Sequence, residues 1–94
     1  MKDRSKLNIY RQAQHFAEVT KLLLATGNIQ RAKKCLQKAE DIYMNGTAEI
    51  KHIISNIYLF SVSGFMEMNH FNLKELLPAN LKSNYYKQVY SSGL

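Results

Sequence analysis

Apolar side chains recur at three- and four-residue intervals along most of this chain, the spacing that predicts amphipathic helices. The first apolar stripe consists of Ile9, Phe16, Val19, Thr20 and Leu23. We expect it on a helix that Asn8 caps and that runs to Thr26, after a charged start, residues 1–7, that frays. The second stripe consists of Ala32, Cys35, Leu36, Ala39, Ile42 and Tyr43. It predicts a second helix from about Asn28 to Met44.

A tight turn, Thr26-Gly27-Asn28, separates these two stripes. Glycine enters the left-handed region freely, so Gly27 is predicted to end the first helix there, and Asn28 is a suitable N-cap for the second. Two helices joined by so short a turn pack antiparallel. Small side chains at Ala32 and Ala39 favour a close approach between them.

A third helix is predicted to begin at Thr47, with Glu49 in its first turn, and to extend to about Ser63. Its broad apolar face consists of Ile50, Ile53, Ile54, Ile57, Tyr58, Ser61 and Phe65, and it is widened by Leu59 and Phe60. A helix that is apolar on most sides is usually covered on most sides. We therefore expect this helix at the centre of the core, with Gly64 loosening its end and residues 66–72 forming a connection.

The last quarter predicts two further helical pieces. Asn72 is expected to cap a short turn over residues 73–77, and Pro78 suits the start of a final helix from about Ala79 to Tyr90. Leu81, Tyr85 and Val89 repeat every four residues and are predicted to face inward. The fold class is all-α, with four to five helices in a single domain over residues 1–94.

The hairpin carries a family resemblance. Phe16, Val19, Leu23, Gly27-Asn28-Ile29, Ala32, Leu36 and Ala39 together resemble the tetratricopeptide (TPR) helix pair over about residues 13–45, with Thr20 where that family prefers glycine. The resemblance implies a TPR-like antiparallel hairpin, packed here on the central apolar helix and the C-terminal helix. It also implies binding of a protein partner. The whole chain is similar to short helical proteins of bacteria whose functions are unassigned.

The charge is concentrated in the first part of the chain. The net charge of the 94 residues is +6, yet residues 1–38 alone carry nine basic and two acidic side chains, a balance of +7. The longest uncharged run, residues 52–66, is shorter than the about 20 residues that a membrane span needs. With no signal-peptide pattern and a single cysteine, Cys35, we expect a cytoplasmic protein without disulfides or a membrane helix.

Two candidate binding surfaces follow from these patterns. Arg31, Lys34 and Lys38 share one side of the second helix, where they form either a solvated face or a surface for an anionic partner. No aromatic residues are interleaved with them, which disfavours nucleic acid as that partner. Tyr86 and Tyr90 are candidates for a protein interface. Homodimerisation through the third or last helix is a further expectation.

Sequence motifs for catalysis are lacking. The Glu67-x-x-His70 spacing occurs once, whereas di-iron bundles use it twice, and Cys35 lies on an apolar stripe. We therefore predict no catalytic residues, no metal and no cofactor. The sequence favours a non-enzymatic protein–protein interaction module. Two alternatives stay open: binding of nucleic acid or another polyanion through the basic face, and a regulatory or immunity-type partner of another bacterial protein.

Overall fold

The computed structural model describes the backbone of residues 2–92 and the side chains of residues 8–88. Within these residues every regular element is a helix, which confirms the all-α fold. The helices are α1 (Lys2–Ala25), α2 (Ile29–Asn45), α3 (Ala48–Ile53), a π-helical segment (Ile54–Leu59), α4 (Phe60–Met68), α5 (Leu73–Leu76) and α6 (Ala79–Ser92). Because α3, the π-helical segment and α4 are continuous, we call residues 48–68 the central rod.

The turn between α1 and α2 has the predicted left-handed glycine. Gly27 has φ of 82°. The backbone N–H of Asn28 donates to the Leu23 carbonyl at 2.8 Å, and that of Gly27 donates to the Leu24 carbonyl at 3.1 Å, the two bonds of a Schellman motif. Asn28 occupies the predicted N-cap position, but its side chain makes no capping hydrogen bond.

Small residues allow α1 and α2 to pack closely. Ala32, Leu36 and Ala39 are fully buried on α2, as predicted from their spacing. On α1 the predicted stripe is only partly right, because the residues buried there are Ala13, Ala17, Thr20 and Leu24. Ile9, Phe16, Val19 and Leu23 are half-buried at the edges of that strip. The face of α1 that meets the core is therefore rotated, relative to the predicted one, toward Ala13 and Ala17. Their small side chains allow the backbones of α1 and α2 to lie close together.

Two local predictions at the far end of the hairpin are wrong. Asn8 does not cap α1, because the helix already begins at Lys2. Ile42, predicted to be part of the core, is 38% exposed. The inward position near the end of α2 is instead taken by Glu40, which is 8% exposed.

The central rod has the core position predicted for it, and it contains an unpredicted π-helical segment. Its buried pairs are Ile53 and Ile54, Tyr58 and Leu59, and Val62 and Ser63. A π-helix takes more residues per turn than an α-helix, so the five-residue step between the first two pairs keeps both on the inner side. In this register Phe60 points outward and is 70% exposed, contrary to its predicted place on the apolar face.

The rod is longer than predicted. Gly64 lies inside α4, which continues to Met68, and Met66 has no exposed surface and is part of the core. The rod ends in a second Schellman turn, with the Phe71 backbone N–H on the Met66 carbonyl at 2.9 Å. The left-handed position is occupied by His70, with φ of 62°.

The C-terminal elements agree closely with the prediction. The Asn72 side chain accepts from the Glu75 backbone N–H and so caps α5. Leu81 has no exposed surface and Tyr85 is half-buried, as expected for inward positions of α6. The third predicted inward residue, Val89, has its side chain outside the described residues.

A tyrosine lies at the centre of the core. Tyr58 stacks on Phe16 with ring centroids 4.9 Å apart, and its hydroxyl is 2.8 Å from that of Thr20. Thr20 donates its own proton to the Phe16 carbonyl at 2.9 Å, so the tyrosine is the donor to Thr20. Thr20 therefore links α1 to the rod at the position where a TPR helix prefers glycine.

Candidate binding surface

An open apolar groove of about 290 Å³ lies between α1, α2 and α3. It lies at the end of the hairpin where α2 ends and the central rod begins. The residues that line it are Ile9, Gln12, Ala13, Phe16, Lys38, Ile42, Ile50, Ile53 and Ile54. We call this surface the apolar groove.

A tight connection between α2 and α3 brings the groove's two outer walls together. Gly46 has an ordinary φ of −88°, so it is required for space and not for its backbone conformation. A Cβ atom there would lie 2.6 Å from Cγ2 of Ile50 and 2.8 Å from the Ile42 carbonyl oxygen. Glycine thus lets the Ile50 side chain lie close to the end of α2, which carries Ile42.

Burial differs between the floor and the walls of the groove. The floor is formed by Ala13, Ile53 and Ile54, which are between 2% and 7% exposed. The walls keep part of their apolar surface accessible, since they consist of the half-buried Ile9, Phe16 and Ile50 together with the exposed Ile42. The small side chain of Ala13 leaves the space between them.

Lys38 is the one charged residue lining the apolar groove among the described residues. Lys34 and Arg31 lie about one and two turns before it on the same face of α2. All three side chains are exposed, as predicted. None of the three makes a hydrogen bond or an ion pair with another described residue. Asp41 lies on the neighbouring strip with Lys34 and Lys38, where it accepts a hydrogen bond from Gln37 at 3.2 Å.

The structure separates the two surfaces that the sequence predicted. Helix α6 packs on the side of α2 that carries Glu40, about 200° around the helix from Lys38. Tyr86 on α6 is half-buried, with its ring centroid 5.4 Å from that of Tyr85. The side chain of Tyr90 lies outside the described residues. The basic residues and Tyr86 therefore do not form one site.

The residues weighed for metal or nucleophilic chemistry lie apart from the groove lining. Glu67 accepts a hydrogen bond from the Tyr85 hydroxyl, and His70 is an exposed turn residue. Cys35 is half-buried. No group of three or more His, Cys, Asp or Glu side chains among residues 8–88 is placed to hold a metal ion.

The sequence pattern missed the groove because its residues look like core. Ile42 and Ile50 fit the helical period of the core stripes, and Ile9 does too. No local signal in the sequence marks them as a groove, because only the packing of the helices leaves their apolar surface uncovered.

No helix in the described part of the chain is both long and apolar enough to cross a membrane. No curated protein and no solved structure matches the chain. The model of one protein family, described as Domain of unknown function (DUF7674), matches residues 1–91. Because this match covers nearly all of the 94 residues, the chain belongs to the DUF7674 family.

Proposed function

We propose that this chain is a non-enzymatic module that binds another protein in the apolar groove. The observation that carries the proposal is an open groove whose walls leave isoleucine side chains accessible on three helices. An apolar groove between helices is one of the recurring kinds of site at which a protein binds another chain. Among residues 8–88 the lining offers Gln12 and Lys38 as its only polar side chains, too few for the converging set that fixes a small substrate.

The arrangement of the helices supports a TPR-like reading of the hairpin over about residues 13–45. Ala32 and Ala39 have no exposed surface, and Gly27 is left-handed, as such a unit requires. The central rod packs against α1, with Tyr58 stacked on Phe16, so a third helix covers the hairpin. TPR units bind partners through their exposed helix surfaces, and we place the protein in the cytoplasm, where the free thiol of Cys35 stays reduced.

Affinity capture from the native cell tests the proposal with two matched baits. Ile42→Glu places a charge in the groove wall, and Leu22→Glu makes the same change on α1 at a side chain that is 63% exposed. A bound partner is expected with the wild-type chain and with Leu22→Glu, and its yield should fall at least about tenfold with Ile42→Glu. Circular dichroism confirms that both baits are folded. Equal yields from all three baits would contradict the use of the groove.

A second candidate function is polyanion binding by Arg31, Lys34 and Lys38. It is favoured by their exposure on one face and by the lack of ion pairs to other described residues. Asp41 beside Lys34 and Lys38 weighs against it, since a carboxylate repels phosphate. Fluorescence titration with a single-stranded oligonucleotide tests it. A plot of the logarithm of the affinity against the logarithm of the salt concentration should have a slope of about −2 for three phosphate contacts. Alanine at all three positions should abolish binding.

A further inference from the structure

We propose that the partner presented to the apolar groove is an amphipathic helix with acidic residues along one edge of its apolar stripe. This inference rests on the proposed protein-binding function and specifies the chemistry of the partner. It follows from three properties of the groove: its length, the helical nature of its walls, and the sign of the charge at its rim.

The length of the groove matches two turns of a helix. Its α1 wall runs from Ile9 to Phe16, seven residue-to-residue steps that span about 10 Å at 1.5 Å per step. A helix laid along this wall presents side chains at positions i, i+4 and i+7 over the same distance. A closed cavity of about 150 Å³ holds one benzene molecule, so a groove of 290 Å³ has room for about two large apolar side chains.

The walls favour a helix over an extended segment. A strand binds by pairing its backbone with an exposed sheet edge, whereas all three walls of the groove are helices, which offer no such edge. An apolar groove between helices binds instead through side chains. A partner helix satisfies its own backbone hydrogen bonds and offers only its side chains to the groove.

The positive charge at the rim of the groove favours a partner helix with acidic residues beside its apolar stripe. Lys38 lines the groove, and Lys34 lies one turn away on the same face, about 6 Å along α2. Two carboxylates four residues apart on a partner helix have the same separation and can therefore pair with both lysines. No acidic residue is among the described residues that line the groove; Asp41 lies on the neighbouring strip beside Lys34 and Lys38, where it accepts a hydrogen bond from Gln37. The net charge of +6 also steers an acidic partner toward this chain.

The experiment uses the full chain and three synthetic helical peptides of about 15 residues. All share leucines at i, i+4 and i+7 and one tryptophan; the flanking residues are Glu in the first peptide, Gln in the second and Lys in the third. The chain contains no tryptophan, so the fluorescence anisotropy of the peptide tryptophan reports binding directly. At about 50 mM salt the Glu peptide should bind about tenfold more tightly than the Lys peptide, with the Gln peptide between them, and the difference should shrink at about 300 mM.

Two charge reversals show where the selectivity arises. Lys38→Glu should lower the affinity for the Glu peptide at least about fivefold and raise the affinity for the Lys peptide. Lys33→Glu changes the net charge equally but lies about 140° around α2 from Lys38, and it should leave the order of the peptides unchanged. Equal effects of the two variants would overturn the assignment to the groove rim.

The outcomes separate the partner chemistry from the proposed function. Equal binding of the Glu and Gln peptides, both abolished by Ile42→Glu, would overturn the acidic partner and leave the apolar groove as a binding site. Binding that is insensitive to Ile42→Glu, or no binding of any peptide at about 100 µM, would overturn the helix-in-groove inference. In that case the yields of the Leu22→Glu and Ile42→Glu baits still decide whether the chain binds a protein.

Discussion

The carboxylate of Glu40 on α2 accepts a hydrogen bond from the backbone N–H of Leu81 on α6, at 3.0 Å. Its second oxygen accepts from the backbone N–H and the side-chain amide of Asn80, both at 3.1 Å. The first N–H groups of a helix have no partner within the helix, and Pro78 before α6 has no side chain that could accept from them. A buried carboxylate from another helix therefore caps α6 and fixes it against the hairpin.

Replacement of this carboxylate by an amide should destabilise the protein. In Glu40→Gln an NH₂ group replaces one oxygen, which leaves either the Leu81 N–H or the two Asn80 donors without an acceptor. The expected loss is about 1–3 kcal/mol in the free energy of unfolding, measured by urea denaturation. Glu75→Gln is the control, because Glu75 is exposed, and its effect should stay within about 0.5 kcal/mol. Equal losses from both variants would contradict the capping role.

The helices and their ends were predictable where the signals are local. The left-handed turn at Gly27, the cap at Thr47 and the cap at Asn72 each depend on residues within three or four positions. The alanines at 32 and 39 could likewise be assigned to the interface from their spacing alone. Short-range backbone chemistry decides all of these features.

Contacts between distant parts of the chain were not predictable in this way. Glu40 looks like one more polar residue of α2 until the start of α6, about 40 positions later, is placed beside it. The same holds for an amide row on α6, in which Asn84 donates to Tyr43 and Ser55, and Gln88 donates to the Ser55 carbonyl. These residues face inward because they find polar partners there, and hydrophobic periodicity assigns such side chains to solvent.

The apolar groove was not predictable from hydrophobic periodicity, for a different reason. Periodicity identifies which side chains share a face, and it does not say whether a neighbouring helix covers that face. Ile50 and Ile54 are successive members of one stripe, yet Ile54 is 5% exposed and Ile50 is only half-buried. The difference arises from the lengths and crossing of three helices, which are properties of the tertiary structure.

The hydroxyl pair in the core should respond asymmetrically to mutation. Thr20→Val leaves the buried Tyr58 hydroxyl without its acceptor, whereas Tyr58→Phe leaves Thr20 still bonded to the Phe16 carbonyl. We expect Thr20→Val to cost about 1–3 kcal/mol and Tyr58→Phe to cost less. The double variant should be less destabilised than the sum of the two, because it removes both partners. Urea denaturation measures all three, and additive losses would show that the two hydroxyls are not coupled.

Alkaline solution should weaken the fold through the same tyrosine. Burial in the core raises the pKa of Tyr58 above its ordinary value near 10, because it disfavours the charged phenolate. The folded state therefore favours the protonated phenol. Its contribution is fully present below about pH 10 and is lost as the pH rises further, because only the unfolded chain releases that proton readily.

The Tyr58→Phe variant isolates this contribution from the other titrating groups. Above about pH 10 the stability of the wild-type chain should fall more steeply than that of the variant, by up to about 1.4 kcal/mol per pH unit. Chemical denaturation between about pH 8 and pH 11.5 measures both slopes. Tyr10→Phe is the control, since Tyr10 is 36% exposed, and its slope should match the wild type. Parallel curves for wild type and Tyr58→Phe would contradict the proposed linkage.

The two left-handed turn residues should respond to substitution with opposite signs. Gly27 and His70 have φ of 82° and 62°, and each occupies the position of a Schellman turn where a side chain costs about 1 kcal/mol. Gly27→Ala should therefore destabilise the chain by about 1 kcal/mol, although a Cβ there meets no atom within 4 Å. His70→Gly should relieve the same strain and, after the added freedom of the unfolded chain, stabilise the protein by up to about 1 kcal/mol. His70→Ala separates backbone from side chain, because it removes the imidazole and keeps the strained φ. If thermal or urea unfolding showed His70→Ala to be as stabilising as His70→Gly, the imidazole and not the backbone conformation would be the source of the strain.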